Sequence, residues 1–285
     1  MEHLTDDLTK TVLARLNCKD ARDFEIISKL VKHVHAFVRD LEPTEEEWFK
    51  AIQFLTRTGQ ICTDKRQEFI LFSDVLGVSM LVDSINHSNQ SSTETTVTGP
   101  FHAPARNYAM GMNIATGLEA ERGEATVVRG KIIDENNNPI QGATIDVWQS
   151  DDIGYYDTQD EKQPEMNLRG IFTTDKTGEY WFKTIKPAPY PIPTDGPVGE
   201  LLRMMGRHPM RPAHIHFWIK ANGYRQIITH LFVKGDEYLQ SDAVFGVKES
   251  LILDFILNHD HTEAKRLSVK SPFYDVNFDF QLAKQ

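Results

Sequence analysis

The chain has 285 residues, 40% of them hydrophobic and 25% charged, with a formal net charge of −10. That balance fits a soluble globular protein with a sizeable core and excludes the basic face of a nucleic-acid binder. Two cysteines, Cys18 and Cys62, lack C-x-x-C spacing, which argues against a disulfide framework or a zinc–thiolate site.

Residues 1–7 are acidic and carry no apolar secretory region, and no apolar run approaches the roughly 18 residues of a spanning helix. A cytoplasmic protein without membrane insertion is expected. Residues 1–92 read as a helical domain. Phe24, Ile26, Ile27, Leu30, Val31, Val34, Phe37 and Val38 recur at helical spacing, and Pro43 ends that run. Thr44 and Glu47 form a capping box, followed by an apolar face of Trp48, Ile52, Phe54 and Leu55. Asp64 opens a further helix through Phe69, Ile70, Phe72, Val75, Leu76 and Met80 to Ile85. The polar run 86–92 is a linker, and residues 93–285 form a second domain.

In that second domain the period changes. Residues 125–133 and 143–148 alternate as strands around a polar turn at 134–139. Asp175-Lys176-Thr177-Gly178 joins strands at 171–174 and 180–185 as a hairpin. Strands are also expected at 211–219, 227–233 and 273–282. Many short strands between turns indicate a β-sandwich, so the expected fold is mainly β with a helical N-terminal segment. The proline-rich stretch 186–193 can be neither a helix nor a central strand; it is a rigid connection suited to presenting Tyr190.

Within the strand 211–219, His214 and His216 are two apart and share a face, with Ile215 and Phe217 on the other. Two imidazoles on one strand make half of a metal site. His33 and His35 have the same spacing on a helix, where it separates them by about 200°. His259 and His261 lie in a polar loop. There is no H-E-x-x-H, no G-x-S-x-G and no P-loop, so a zinc hydrolase, a serine hydrolase and a P-loop nucleotidase are unsupported. Taken alone, Tyr156 reads as an exposed turn aromatic; the alternative for Tyr190 is a packed tyrosine among prolines, and the lesser alternative for Arg211 is a surface ion pair.

Gly130, Pro139, Gly142-Ala143, Asp146-Val147-Trp148, Gly154-Tyr155-Tyr156, Pro189-Tyr190 and Arg211-Pro212-Ala213-His214-Ile215-His216 together resemble the intradiol ring-cleavage dioxygenases. The match runs in order over about residues 95–282, and the helical start resembles the dimerising segment of the catechol and hydroxyquinol branch. Asn137 departs from the glycine usual in that turn, and asparagine tolerates the left-handed conformation. The resemblance implies one non-haem iron(III) per chain, held by Tyr156, Tyr190, His214 and His216. Phenolates are hard anionic donors suited to a trivalent metal. It also implies that Tyr190 leaves the metal carrying a substrate proton, as a base, and that Arg211 stabilises carbanion character on the ring. A homodimer through the N-terminal helices follows, with an interface groove that can hold a phospholipid.

Residues 98–105, 229–232, 241–247 and 273–280 look more like the hydroxyquinol than the catechol branch. The resemblance implies a pocket wall of Leu71, Asp74, Val97, Thr98, Gly99, Pro100, Phe101, Ile192, Pro193, Arg211 and Val244, with His230 where the catechol branch often has glutamine. Asp74 is suited to accept from a third ring hydroxyl. The expected reaction is cleavage of hydroxyquinol, 1,2,4-trihydroxybenzene, by O2 between its ortho hydroxyls to 3-hydroxy-cis,cis-muconate and its keto form maleylacetate. Catechol or chlorocatechol cleavage is the alternative, and a non-enzymatic β-sandwich binding module a distant one.

Overall fold

The computed structural model describes residues 2–63, 66–87 and 91–285. Two compact units divide the chain, Met1–Arg57 and Thr58–Gln285. The expected helix start at Asp64 and the centre of the expected linker, Ser88 to Gln90, lie outside the described residues.

The first unit holds helices α1 (Glu2–Ala14) and α2 (Ala21–Leu41) and most of α3 (Glu45–Gln60). Asp20 caps α2 by accepting from the amides of Arg22 and Asp23, and Glu42 ends it in the left-handed region at φ 48°. The capping box of α3 forms: Thr44 Oγ1 accepts from the Glu47 amide at 3.2 Å, and Glu47 accepts from the Thr44 amide at 2.8 Å. The apolar stripes read from the sequence are present, and Phe24, Leu30, Phe37 and Leu41 on α2 and Trp48 on α3 stand exposed.

In the second unit the expected long helix is broken. α4 (Glu68–Val75) stops and α5 (Val78–His87) starts afresh after Gly77, which sits at φ +72°. The left-handed backbone that ends the helix suits glycine, and the Phe245 ring packs 3.4 Å from where a Gly77 Cβ would be. Short helices follow: α6 (Glu119–Arg122), α7 (Pro197–Met204) and α8 (His261–Leu267).

The strands are β1 (Ala125–Asp134), β2 (Thr144–Gln149), β3 (Arg169–Thr173), β4 (Glu179–Ile185), β5 (Tyr190–Pro191), β6 (Met210–Arg211), β7 (His214–Lys220), β8 (Ile227–Val233), β9 (Ile252–Leu253), β10 (Ile256–Asn258), β11 (Phe273–Asn277) and β12 (Phe280–Leu282). One five-stranded sheet has the order β10-β11-β1-β12, with β4 also on β1; the other runs β3-β2-β7-β8-β9. Their alternating apolar residues form one core: Val128, Ile132 and Phe182 from the first sheet meet Ile145, Val147, Ile215, Phe217 and Leu231 from the second. Each large side chain so buried contributes about 1.5–3 kcal/mol. Asn137 takes the left-handed conformation at φ 62°, so the turn survives without glycine.

Two expected strands are divided. The stretch 273–282 splits into β11 and β12, both parallel to β1, where the Phe278 carbonyl closes on Gly130: a Cβ there would lie 1.8 Å from that oxygen. The stretch 211–219 breaks at Pro212, which has no amide proton to give a ladder, while the Ala213 amide donates to Asp236 at 2.9 Å. Arg211 therefore belongs to β6, directly opposite Tyr190 in β5.

Candidate active site

The core claims Ile215, Phe217 and Ile219 of β7, and the pleat then turns His214 and His216 to the opposite face. Across the sheet, Trp148 of β2, His216 and His230 of β8 stand in one row. The indole of Trp148 stacks on the His216 ring at 4.5 Å with the planes 12° apart. His214, His216 and His230 can bring ligand atoms within 4.8 Å of one another, and all three are buried. No such group among the described residues includes His33, His35, His259 or His261.

His214 Nδ1 donates to the Pro212 carbonyl at 2.6 Å. A carbonyl oxygen only accepts, so the His214 proton sits on Nδ1 and Nε2 offers a lone pair. That Nε2 lies 3.0 Å from His216 Nε2. Burial, reinforced by Arg211, holds His214 well below the usual histidine range. Burial, then His230, His214, Arg211 and Arg169, does the same for His216. For His230, burial with His214 and Arg211 outweighs the Val97 backbone group that favours its charged form. All three imidazoles are neutral, as nitrogen ligands must be.

Two loops bring in the tyrosines. In the first, Asp151 accepts from the amides of Ile153 and Tyr155, at 3.0 and 2.8 Å, and Gln159 Oε1 accepts from the Tyr156 amide at 3.1 Å. Gly154, at φ +90°, lies so close to the second loop that a Cβ would come 2.7 Å from the Pro189 carbonyl and 3.3 Å from Tyr190 Cβ. The turn separates neighbours: Tyr155 is 48% exposed and Tyr156 1%. Tyr156 and Tyr190 cross edge to face with ring centres 5.1 Å apart, and the Tyr156 hydroxyl lies 3.0 Å from His216 Nε2. Burial, with Tyr190 beside it, pushes the Tyr156 phenol well above its ordinary range, only partly opposed by Arg211 and Arg169.

Arg211 joins the two halves. Its Nη1 donates to the Tyr190 hydroxyl at 3.2 Å and lies 3.3 Å from His214 Nε2. Its Nε and Nη2 donate to the two carboxylate oxygens of Asp242, at 3.0 and 3.3 Å. Burial works against the charge, but Asp242 and the neighbouring tyrosines outweigh it, so the guanidinium stays charged. The surface-ion-pair reading of Arg211 is wrong, since it is fully buried.

Leu71, Val97, Ile192 and Val244 fall in one apolar cluster, and Phe101 stacks on Tyr156 at 4.6 Å. Gly99, at φ +73°, leaves a would-be Cβ 3.5 Å from the His216 ring, while Thr98, Pro100 and Pro193 are half-buried. Asp74 is buried on α4, its Oδ2 without a hydrogen-bond partner. Burial, opposed by Ser79 and by the charge of Arg211, raises its carboxyl to about 6. The roles of Trp148 and Asp242 were not visible in the sequence: one depends on cross-strand register, the other on a contact spanning 31 residues.

The donor set suits a hard trivalent cation. The Tyr156 phenol oxygen and the Nε2 atoms of His214 and His216 meet at 3.0 Å, and the Tyr190 hydroxyl is tied to His214 through the shared Arg211 Nη1. Residues 97–284 match the family model described as "Dioxygenase", and residues 20–94 match "Catechol dioxygenase N terminus". The chain is 52% identical over 280 residues to a hydroxyquinol 1,2-dioxygenase of Rhizobium sp. strain MTP-10005, covering 96% of this chain and 94% of that one. It is 47% identical to a 6-chlorohydroxyquinol 1,2-dioxygenase of Cupriavidus pinatubonensis, covering 99% and 98%. The crystal structure of a hydroxyquinol 1,2-dioxygenase from Pseudomonas putida DLL-E4 superposes with a TM-score of 0.90 at 44% identity, covering both chains fully. On this site geometry and these matches, the chain belongs to the intradiol ring-cleavage dioxygenases.

Proposed function

We propose that the protein is an iron(III) dioxygenase that cleaves hydroxyquinol with O2 between its ortho hydroxyls, giving 3-hydroxy-cis,cis-muconate and its keto form maleylacetate. The observation that carries the substrate is the 52% identity to a hydroxyquinol 1,2-dioxygenase over 96% of the chain. Tyr156, Tyr190, His214 and His216 are the proposed ligands, supported by their convergence and by the neutral imidazoles. The ferric ion, when bound, supplies the Lewis acidity that favours both phenolates and the electron-accepting character that activates the substrate toward O2.

The chain's own groups prepare the substrate. Tyr190 accepts a proton from a substrate hydroxyl at its phenolic oxygen, which the Arg211 Nη1, donating to it at 3.2 Å, holds in place. The same guanidinium, buried and always charged, faces the ring where negative charge develops. Leu71, Val97, Ile192 and Val244 exclude water. The unpartnered Oδ2 of Asp74 accepts from the third hydroxyl, which catechol lacks. The remaining wall, Thr98, Gly99, Pro100, Phe101, Pro193 and His230, fixes the ring plane.

The exposed apolar face of α2 supports a homodimer, while a phospholipid at its interface and a cytoplasmic location rest on the family resemblance alone. No described helix is long and apolar enough to cross a membrane. The test is turnover of hydroxyquinol against catechol by the purified enzyme, with its iron content. A large preference for catechol overturns the substrate, and iron-free active protein overturns the centre. A monomer in gel filtration overturns the dimer.

A further inference from the structure

We propose that Asp242 is the positioning residue that aims Arg211, and that the turn Asp242 to Gly246 couples this aim to the pocket wall. The inference rests on the role for Arg211 given above.

Three observations carry it. First, Asp242 grips the guanidinium by its Nε and Nη2 edge, at 3.0 and 3.3 Å, which leaves Nη1 as the donor facing Tyr190 and His214. A planar fork held along one edge cannot swing about its Cδ–Nε bond, so Nη1 is fixed in direction as well as place. Second, the same carboxylate oxygens accept from the amides of Val244 at 3.3 Å and Gly246 at 2.9 Å. These two bonds fold the turn, whose Phe245 holds the left-handed conformation at φ 59°, and they seat Val244 against Leu71, Val97 and Ile192. Third, Gly246 closes the other side: a Cβ there would lie 3.1 Å from Arg211 Nη2 and 3.2 Å from Asp242 Oδ2. The guanidinium is thus confined between a carboxylate and a backbone where even a methyl group would force a shift of a few tenths of an ångström. Asp242 is 4% exposed, so its charge and that of Arg211 are compensated inside the protein.

The experiment is a double-mutant cycle on the iron-loaded enzyme with Asp242→Asn, Gly246→Ala and Arg211→Gln. Readouts are kcat and KM for hydroxyquinol, anaerobic hydroxyquinol affinity by calorimetry, iron content and unfolding temperature. Asp242→Asn keeps an acceptor for the turn but loses the charged fork, and kcat is expected to fall about 10- to 100-fold, as for an angstrom-scale misplacement. Gly246→Ala, which presses by a few tenths of an ångström on both the guanidinium and the carboxylate while keeping the charged fork, is expected to lower kcat several-fold with iron content and folding retained. In the Arg211→Gln background both substitutions are expected to change kcat less than twofold, because they act through the missing guanidinium. Full additivity in that background, or wild-type kcat in both single variants, overturns the positioning role. A loss of kcat that tracks loss of iron and of unfolding temperature in both variants also overturns it, as a structural effect. If Asp242→Asn does not fold, Gly246→Ala alone decides. An Arg211→Gln enzyme with wild-type kcat brings down the Arg211 reading itself, and the inference with it.

Discussion

The hydroxyl of Tyr156 lies 3.0 Å from Nε2 of His216, a contact between residues 60 apart in the chain. Both are about 1% exposed, and burial drives the phenol and the imidazole toward their neutral forms. A cation between them reverses that penalty for the phenol, since it stabilises the phenolate directly.

Tyr156→Phe removes the oxygen and keeps the ring that stacks on Phe101. The expected outcome is a weakened and shifted phenolate-to-iron absorption, with the share due to Tyr156 lost and the fold intact. His214→Ala is expected to lose the same colour. Tyr155→Phe, at the exposed neighbour, is expected to keep both colour and iron. Absorption spectra and iron assays of the three purified variants check this, and an iron-replete Tyr156→Phe whose spectrum is identical to wild type removes Tyr156 from the ligand set.

Asp74 gives a pH prediction with a definite sign. Burial raises its carboxyl from the ordinary 3.8 to about 6, so the folded state holds the proton more tightly than the unfolded one. Below pH 3.8 both states are protonated and nothing is lost. Stability falls as pH rises through the window from 3.8 to about 6, and above it the penalty is constant at about 3 kcal/mol. Asp74→Asn is therefore expected to unfold at a higher temperature than wild type at pH 8, with the gap closing toward pH 4. The same substitution weakens a charged acceptor for the third hydroxyl, so kcat/KM for hydroxyquinol is expected to fall about 10- to 100-fold relative to catechol. An unchanged ratio assigns Asp74 to structure alone.

The parts of this site that were legible in the sequence are those set by near neighbours. Alternation along β7 put Ile215 and Phe217 inward and His214 and His216 together, and the capping box of α3 formed as read. The rest depended on distant contacts. Gly77 breaks the expected helix in a left-handed conformation against the distant Phe245, and Pro212 breaks the expected strand, so that Arg211 pairs with Tyr190. Tyr156 alone looked like a surface aromatic; its burial comes from the loop around Asp151 closing on Pro189. Asp242 lay in a stretch that carried only a resemblance, 241–247, and its role had no local signal, since its partner lies 31 residues away on β6.

Gly130 separates stability from chemistry. An added Cβ would lie 1.8 Å from the Phe278 carbonyl, backbone that cannot yield without parting β11 and β12 from β1. Gly130→Ala is expected to cost at least about 1–3 kcal/mol, the usual range for overpacking. Denaturant unfolding measures it. The folded fraction is expected to keep normal iron content and kcat, because none of the site residues contacts this junction.

Gly154→Ala is expected to do the opposite. Gly154 sits at φ +90°, which an L side chain adopts only with strain, and the added methyl would press on the Pro189 carbonyl at 2.7 Å and on Tyr190 Cβ at 3.3 Å. That contact is where the Tyr156 loop meets the Tyr190 loop, so relief of the clash drives the two phenols apart. Separation by even a few tenths of an ångström matters more to a metal ion, whose ligand distances are fixed to about 0.2 Å, than to a loop on the rim of a sandwich whose core lies elsewhere. The expected outcome is a weakened and shifted visible absorption and faster iron loss to a chelator, with a smaller drop in unfolding temperature than Gly130→Ala produces. If Gly154→Ala unfolds at a much lower temperature yet keeps its iron and colour, the close approach of the two loops serves the fold and not the metal centre.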